Sequence, residues 1–150
     1  MLKARIDQDL KKALLAGDKL LATTLRGLKS VILYEEVAKG VREQGLGDDE
    51  IIGLLSKEAK KRQESADLYK QGGNEEKAAA ELDEKKAIEA YLPTQLSDEA
   101  LSKLVDETVA ELGTSGPSAM GQVIGAVKQK TAGQADGSRI AQLVKERLSA

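Results

Sequence analysis

The side chains able to do chemistry in this chain are few, and their spacing points to binding more than to bond-making. Carboxylates cluster at Glu35-Glu36 and at Asp48-Asp49-Glu50, and such clusters can serve acid–base catalysis or hold Mg²⁺. Both also fit plain helical roles, a helix surface and a first turn whose acids meet the positive end of the helix dipole. Ser30, Ser56 and Ser65 lie in no glycine-rich nucleophile elbow, the turn that would expose a catalytic hydroxyl. The chain contains no Cys and no His. That removes disulfides, thiolate nucleophiles, zinc ribbons and iron–sulfur clusters, together with Ser-His-Asp triads and a proton carrier tuned to neutral pH. The expectation is no catalytic residue set, no metal site and no cofactor within this chain.

Cations offer more. In Lys57-Glu58-Ala59-Lys60-Lys61-Arg62, Lys57 and Lys61 share a helical face, but Glu58 and Glu64 lie close enough to neutralise much of it. The last third is more distinctive. Residues 1–92 hold 17 Lys and Arg against 18 Asp and Glu, whereas residues 97–112 hold one Lys against five acids, a net of −4. Residues 117–150 hold five basic residues (Lys128, Lys130, Arg139, Lys145 and Arg147) against two acids, a net of +3. A basic module thus follows an acidic helix. At about 100° per residue, Lys128 and Lys130 fall on opposite flanks of an apolar stripe, Arg139 and Lys145 fall about 120° apart on the solvent side, and Arg147 sits beside the stripe and is expected to snorkel. Gly121 and Gly125 stand four residues apart next to Lys128. Each costs roughly 1 kcal/mol of helix propensity relative to Ala. Something is therefore expected to approach closely there, either another helix or an RNA backbone. Gly133 and Gly137 read as serving a tight turn around Asp136.

The elements that position these groups are helical throughout. Leu2, Ile6, Leu10, Ala13 and Leu14 recur at three and four residues and predict a helix over 2–16. Gly17 stops it and Asp18 caps the next, which runs to about Ala38 on a face of Leu21, Leu25, Leu28, Ile32 and Tyr34 or Glu35. A third helix spans Asp48 to Gln71. A fourth, capped by Asn74, runs to Leu92 before Pro93, since the residue preceding proline is pushed out of the helical region. Ser97 caps a fifth helix ending at Gly113, Pro117 opens a sixth, and Asp136 caps a seventh along Ile140, Leu143, Val144 and Leu148. No run alternates at period two long enough for a strand. The reading is all-α, with a four-helix subdomain over 1–92 and a three-helix subdomain over 93–150.

Hydrophobic residues at 41% suffice for a core, but aromatics are only 2%. There is no platform on which to stack bases, which disfavours RRM and OB-fold modes of RNA binding. No apolar run reaches the roughly 18 residues of a membrane span. Asp7 and Asp9 interrupt any leader-like stretch at the start. The expectation is a cytoplasmic chain that does not engage a membrane.

The segments Met120–Ile124, Thr131–Gly137 and Ile140–Glu146 resemble the C-terminal tail shared by YqeY-like proteins and the B subunit of tRNA-dependent amidotransferase. Leu92–Ser97 and Thr24-Leu25-Arg26 resemble YqeY-like proteins in the linker and second helix. One departure is Ser118-Ala119, where the amidotransferase subunits tend to carry larger apolar residues. The resemblance implies a tRNA-contacting module without the catalytic part of the amidotransferase. It therefore implies tRNA, or the tRNA aminoacylation and amidation machinery, as partner. Joined to the reading of the residues, the leading expectation is that Lys128, Lys130, Arg139 and Lys145 neutralise phosphates and that Gly121 and Gly125 permit close approach. Two alternatives stand beside it. One is a protein–protein adaptor docking through residues 1–92, and the other is the glutamine-dependent carbon–nitrogen ligase activity attached to the family as a label. The oligomeric state is not set by the sequence.

Overall fold

The computed structural model describes residues 1–149. Its helices are α1 (Leu2–Ala16), α2 (Lys19–Lys39), α3 (Asp48–Gln71), α4 (Glu75–Glu89), α5 (Asp98–Leu112), α6 (Met120–Thr131) and α7 (Gly137–Ser149), with a 3-10 turn at Pro117–Ala119 before α6. No strand occurs among the described residues. The chain divides into two compact units, one over Met1–Leu92 and one from Pro93 onward.

Local signals set the helix boundaries. At the α1–α2 turn Gly17 adopts φ 72°, a conformation that a Cβ penalises. It lets Asp18 N–H reach back to the Ala13 carbonyl at 2.9 Å, while the Asp18 carboxylate accepts Leu21 N–H at 3.1 Å. Asn74 and Ser97 cap α4 and α5 in the same manner, each accepting an N–H at 3.1 Å. These contacts satisfy donors that the first turn leaves unpaired.

In the first unit Ile6, Leu25, Leu28, Ile32, Ile51, Leu55 and Ile88 form the fully buried heart of the core. Branched aliphatic side chains do the packing, as the scarcity of aromatics requires. Beyond Ala59 the seam between α3 and α4 changes character. Ala66 and Ala78 are fully enclosed, and a polar ladder accompanies them. Arg62 donates to Glu58 at 2.9 Å and to Glu84 at 3.1 Å, and Lys85 donates to Gln63 at 2.8 Å. Small side chains let the helices close up, and matched charges replace the missing hydrophobic volume.

Helix α4 ends at Glu89, three residues before the expected Leu92. The chain then tightens, with Tyr91 N–H bonded back to the Ile88 carbonyl and Leu92 N–H to the Glu89 carbonyl, each at 3.0 Å, before Pro93. Tyr91 packs on α1. Its ring is buried, its hydroxyl donates to Asp9 at 2.5 Å, and the Arg5 guanidinium lies 4.7 Å from the ring centroid. Burial first, then the Asp9 carboxylate, push the phenol well above its ordinary range.

The second unit packs α5, α6 and α7 around Leu101, Val105, Val123, Val127, Ile140 and Val144. The segment ahead of α5 is stitched to the α6–α7 connector. Leu96 N–H donates to the Gln134 carbonyl at 2.8 Å, and the Gln95 amide donates to the Gly133 carbonyl at 3.1 Å.

Candidate nucleic-acid interface

The charge asymmetry along the last third is largely spent inside the fold. Acids of α5 pair with cations of α6 and α7. Lys130 donates to Glu111 at 2.6 Å and to the Thr108 hydroxyl at 3.1 Å. Arg139 forms a two-nitrogen pair with Asp98 and donates to the Leu96 carbonyl at 2.8 Å. Arg147 pairs with Asp106 at 2.8 Å, so it reaches across to α5 where the sequence led us to expect snorkelling. Three of the five basic side chains of residues 117–150 therefore tie helices together. Lys128 and Lys145 remain exposed, with no ion-pair partner among the described residues.

Helix α6 places Lys128 with the two glycines. Gly121, Gly125 and Lys128 are exposed and fall on one face, at spacings of four and three residues, flanked by exposed Gln122 and Gln129. The opposite face buries Val123 and Val127. Apart from the helix's own adjoining backbone, no heavy atom lies within 4 Å of the position a Cβ would occupy at Gly121 or Gly125. The expectation that another helix packs against these glycines is thus corrected: within this chain their face meets solvent. Gly137 also departs from its expected role as a turn residue. It opens α7, and a Cβ there would lie 3.3 Å from the Lys128 Cε. Its missing side chain gives Lys128 a place to lie across the start of α7. Nothing in the glycine spacing alone could have revealed that pairing.

The carboxylate clusters resolve differently. Asp48 and Asp49 open α3, and Asp48 also accepts Leu2 N–H at 3.1 Å. Glu36, read from sequence as part of a helix surface, has no solvent exposure. Lys3 donates to both of its carboxylate oxygens, and Leu46 N–H donates at 3.0 Å. The loop after α2 folds over it so closely that a Cβ on Gly45, at φ 76°, would stand 3.2 Å from Oε2. The Lys3 hydrogen bonds are the largest cause holding this carboxyl below the ordinary glutamate range. Glu36 lines a groove of about 540 Å³ between α1 and α2 that also holds Lys3, Lys29 and Ser30. A carboxylate that already accepts three hydrogen bonds and has its basicity reduced is a poor general base for that serine.

In the Lys57–Arg62 run, Arg62 and Lys61 are both paired with Glu58. No group of three or more acidic, Cys or His side chains able to hold a metal occurs among the described residues. No helix of the described chain is long and apolar enough to cross a membrane.

Comparison with known proteins extends these observations. The chain matches the family model described as Yqey-like protein over residues 3–148. It is similar to Altered inheritance of mitochondria protein 41 of Kluyveromyces lactis, at 31% identity over 132 residues, covering 85% of this chain and 70% of that protein. The protein of the same name from Eremothecium gossypii is 31% identical over 134 residues, covering 87% and 72%. A glutamyl-tRNA(Gln) amidotransferase subunit of Thermococcus gammatolerans is 29% identical over 135 residues, which is 86% of this chain but 20% of that longer protein. Both of the first two relatives are named as mitochondrial. The expectation of a cytoplasmic chain is corrected accordingly: acids near the start do not fix the compartment.

Proposed function

The chain belongs to the YqeY-like family, and from that premise we propose that it binds tRNA or a tRNA-handling assembly and leaves bond-making to others. Residues 1–92 and 93–150 act as separate domains in this reading, and the RNA-contacting surface lies on the second. The observation that carries it is the exposed α6 face, where Gly121 and Gly125 present bare backbone to solvent and Lys128 lies in line with them. A phosphate backbone can approach such a strip closely, and an unpaired ammonium supplies the charge without first breaking a pair. Lys145 adds a second exposed cation with no ion-pair partner among the described residues, while Lys130 and Arg139 keep the helices together and contribute through the local field. The likeness to a glutamyl-tRNA(Gln) amidotransferase subunit supports tRNA as the polyanion.

The test is retention of tRNA on the purified chain across a series of salt concentrations. Lys128→Gln and Lys145→Gln are expected each to reduce the log–log salt slope by about one, as loss of a phosphate contact does. Lys130→Gln leaves the slope nearly unchanged. No retention at low salt rejects the reading.

A second reading, docking of another protein on residues 1–92, is favoured by a different observation. The exposed large apolar side chains (Leu14, Leu15, Leu20, Leu33, Tyr34, Val37 and Leu68 among them) all belong to that unit.

A further inference from the structure

Helix α2 carries a second face, free of charge, that the fold leaves outside the core. Leu25, Leu28 and Ile32 point into the core. The opposite face carries Leu20, Thr23, Gly27, Ser30, Tyr34 and Val37, at alternating spacings of three and four residues. This is the a/d spacing of a helix–helix seam over about five turns, with large apolar side chains at Leu20, Tyr34 and Val37 and small residues at Thr23, Gly27 and Ser30 between them. None of the six is charged, whereas a solvated helix face ordinarily carries charge. Leu20 is 40% exposed, Tyr34 79% and Val37 58%, with Leu33 beside them at 43%. At the middle of the stripe, Gly27 has no atom within 4 Å of the Cβ position, so its backbone is open to a close approach.

The flanks say what fits. The position preceding each a residue, heptad g, holds Lys19, Arg26 and Leu33, and the e positions hold Thr24, Val31 and Ala38. Lys19 and Arg26 are exposed, seven residues apart, and have no ion-pair partner among the described residues. On that same flank the stripe borders the groove between α1 and α2, whose floor is Ile6, Leu10 and Ile32 and whose near edge is Arg26, Ser30 and Leu33. The other lysines of the groove, Lys3 and Lys29, are matched by Glu36 at 2.8 Å and Asp7 at 2.7 Å. Residues at e and g set partner choice in such seams. A second copy of this chain offers no acid there. In a parallel pair its Thr24, Val31 and Ala38 would face Lys19 and Arg26, and in an antiparallel pair its own g residues would.

We propose that the outer face of α2 docks an amphipathic helix of another protein, one that carries carboxylates seven residues apart beside its apolar stripe. Those carboxylates pair with Lys19 and Arg26, and a bulky apolar side chain on the same flank enters the groove. The proposal rests on the docking reading of residues 1–92 and adds the chemistry of the partner.

Two synthetic peptides of about four heptads test it, each with Leu at a and d, one with Glu at every e and g position and one with Lys there. Like charges keep each peptide from pairing with itself. Binding to the full chain is read by fluorescence anisotropy, with helical content checked by circular dichroism. The acidic peptide is expected to bind at least about tenfold more tightly than the basic one, and the exposed double variant Lys19→Glu/Arg26→Glu is expected to reverse the order. Equal binding of both peptides overturns the acidic partner while the docking reading survives. Binding of neither overturns both. A dimer of the chain alone that Val37→Asp dissolves assigns the face to a second copy and overturns the proposal.

Discussion

The Lys3 ammonium stands 2.8 and 2.9 Å from the two carboxylate oxygens of Glu36, joining the first turn of α1 to the last turns of α2 over a buried carboxylate. The same carboxylate receives Leu46 N–H from the loop that leads to α3. One acid thus fixes two helices and a connection. A charge enclosed in this way is tolerated because both of its oxygens accept from donors, one of them the charged Lys3 ammonium.

The pair has a pH signature. Because the Glu36 carboxyl titrates below its unfolded value, with Lys3 the largest cause, its stabilising contribution is complete above about pH 4.3 and is lost as pH falls through the lower folded value. Urea midpoints measured between neutral pH and about pH 3 are expected to fall less steeply for Glu36→Gln than for the parent chain, from a lower starting point.

The glycines of α6 predict opposite signs for stability and binding. A Cβ at Gly121 or Gly125 meets open space, so Gly121→Ala and Gly125→Ala should each stabilise the helix by up to about 1 kcal/mol. The double variant is expected to melt higher and to retain less tRNA in low salt. Unchanged retention would separate these glycines from the RNA-facing role.

Arg139 and Lys145 should part company although they share α7 and a charge. Arg139→Ala loses Asp98 and the Leu96 carbonyl and is expected to cost about 1–2 kcal/mol in denaturant unfolding, partial exposure holding it at the lower end of charged hydrogen bonds. Lys145→Ala, with no ion pair to lose among the described residues, should stay within about 0.5 kcal/mol.

The α3–α4 seam should reject volume. Ala66 and Ala78 are fully buried, so Ala78→Leu is expected to cost about 1–3 kcal/mol by overpacking, read as a lower unfolding midpoint. Leu68→Ala, at an exposed position of the same hairpin, should be nearly silent.

Much of the molecule was legible in the sequence because short-range physics writes it there. The apolar recurrences at three and four residues found each helix, and Asp18, Asn74 and Ser97 announced caps that the structure contains. Where the reading failed, the deciding neighbour was distant. Glu36 looked like surface because its own helix gives no reason to bury it; Lys3 and Leu46 do. Tyr91 reads as a continuation of α4, and nothing local announces that its hydroxyl donates to Asp9 on α1.

The candidate interface divides in the same way. Composition and spacing alone established a helical chain without Cys or His chemistry, and they singled out Gly121, Gly125 and the cations around them. Only the tertiary structure decided that Lys130, Arg139 and Arg147 are bound to α5 and that Lys128 and Lys145 are not. The reason is physical: periodicity fixes which face of a helix a side chain occupies, but whether its charge is answered depends on another helix many residues away, brought there by packing of the core.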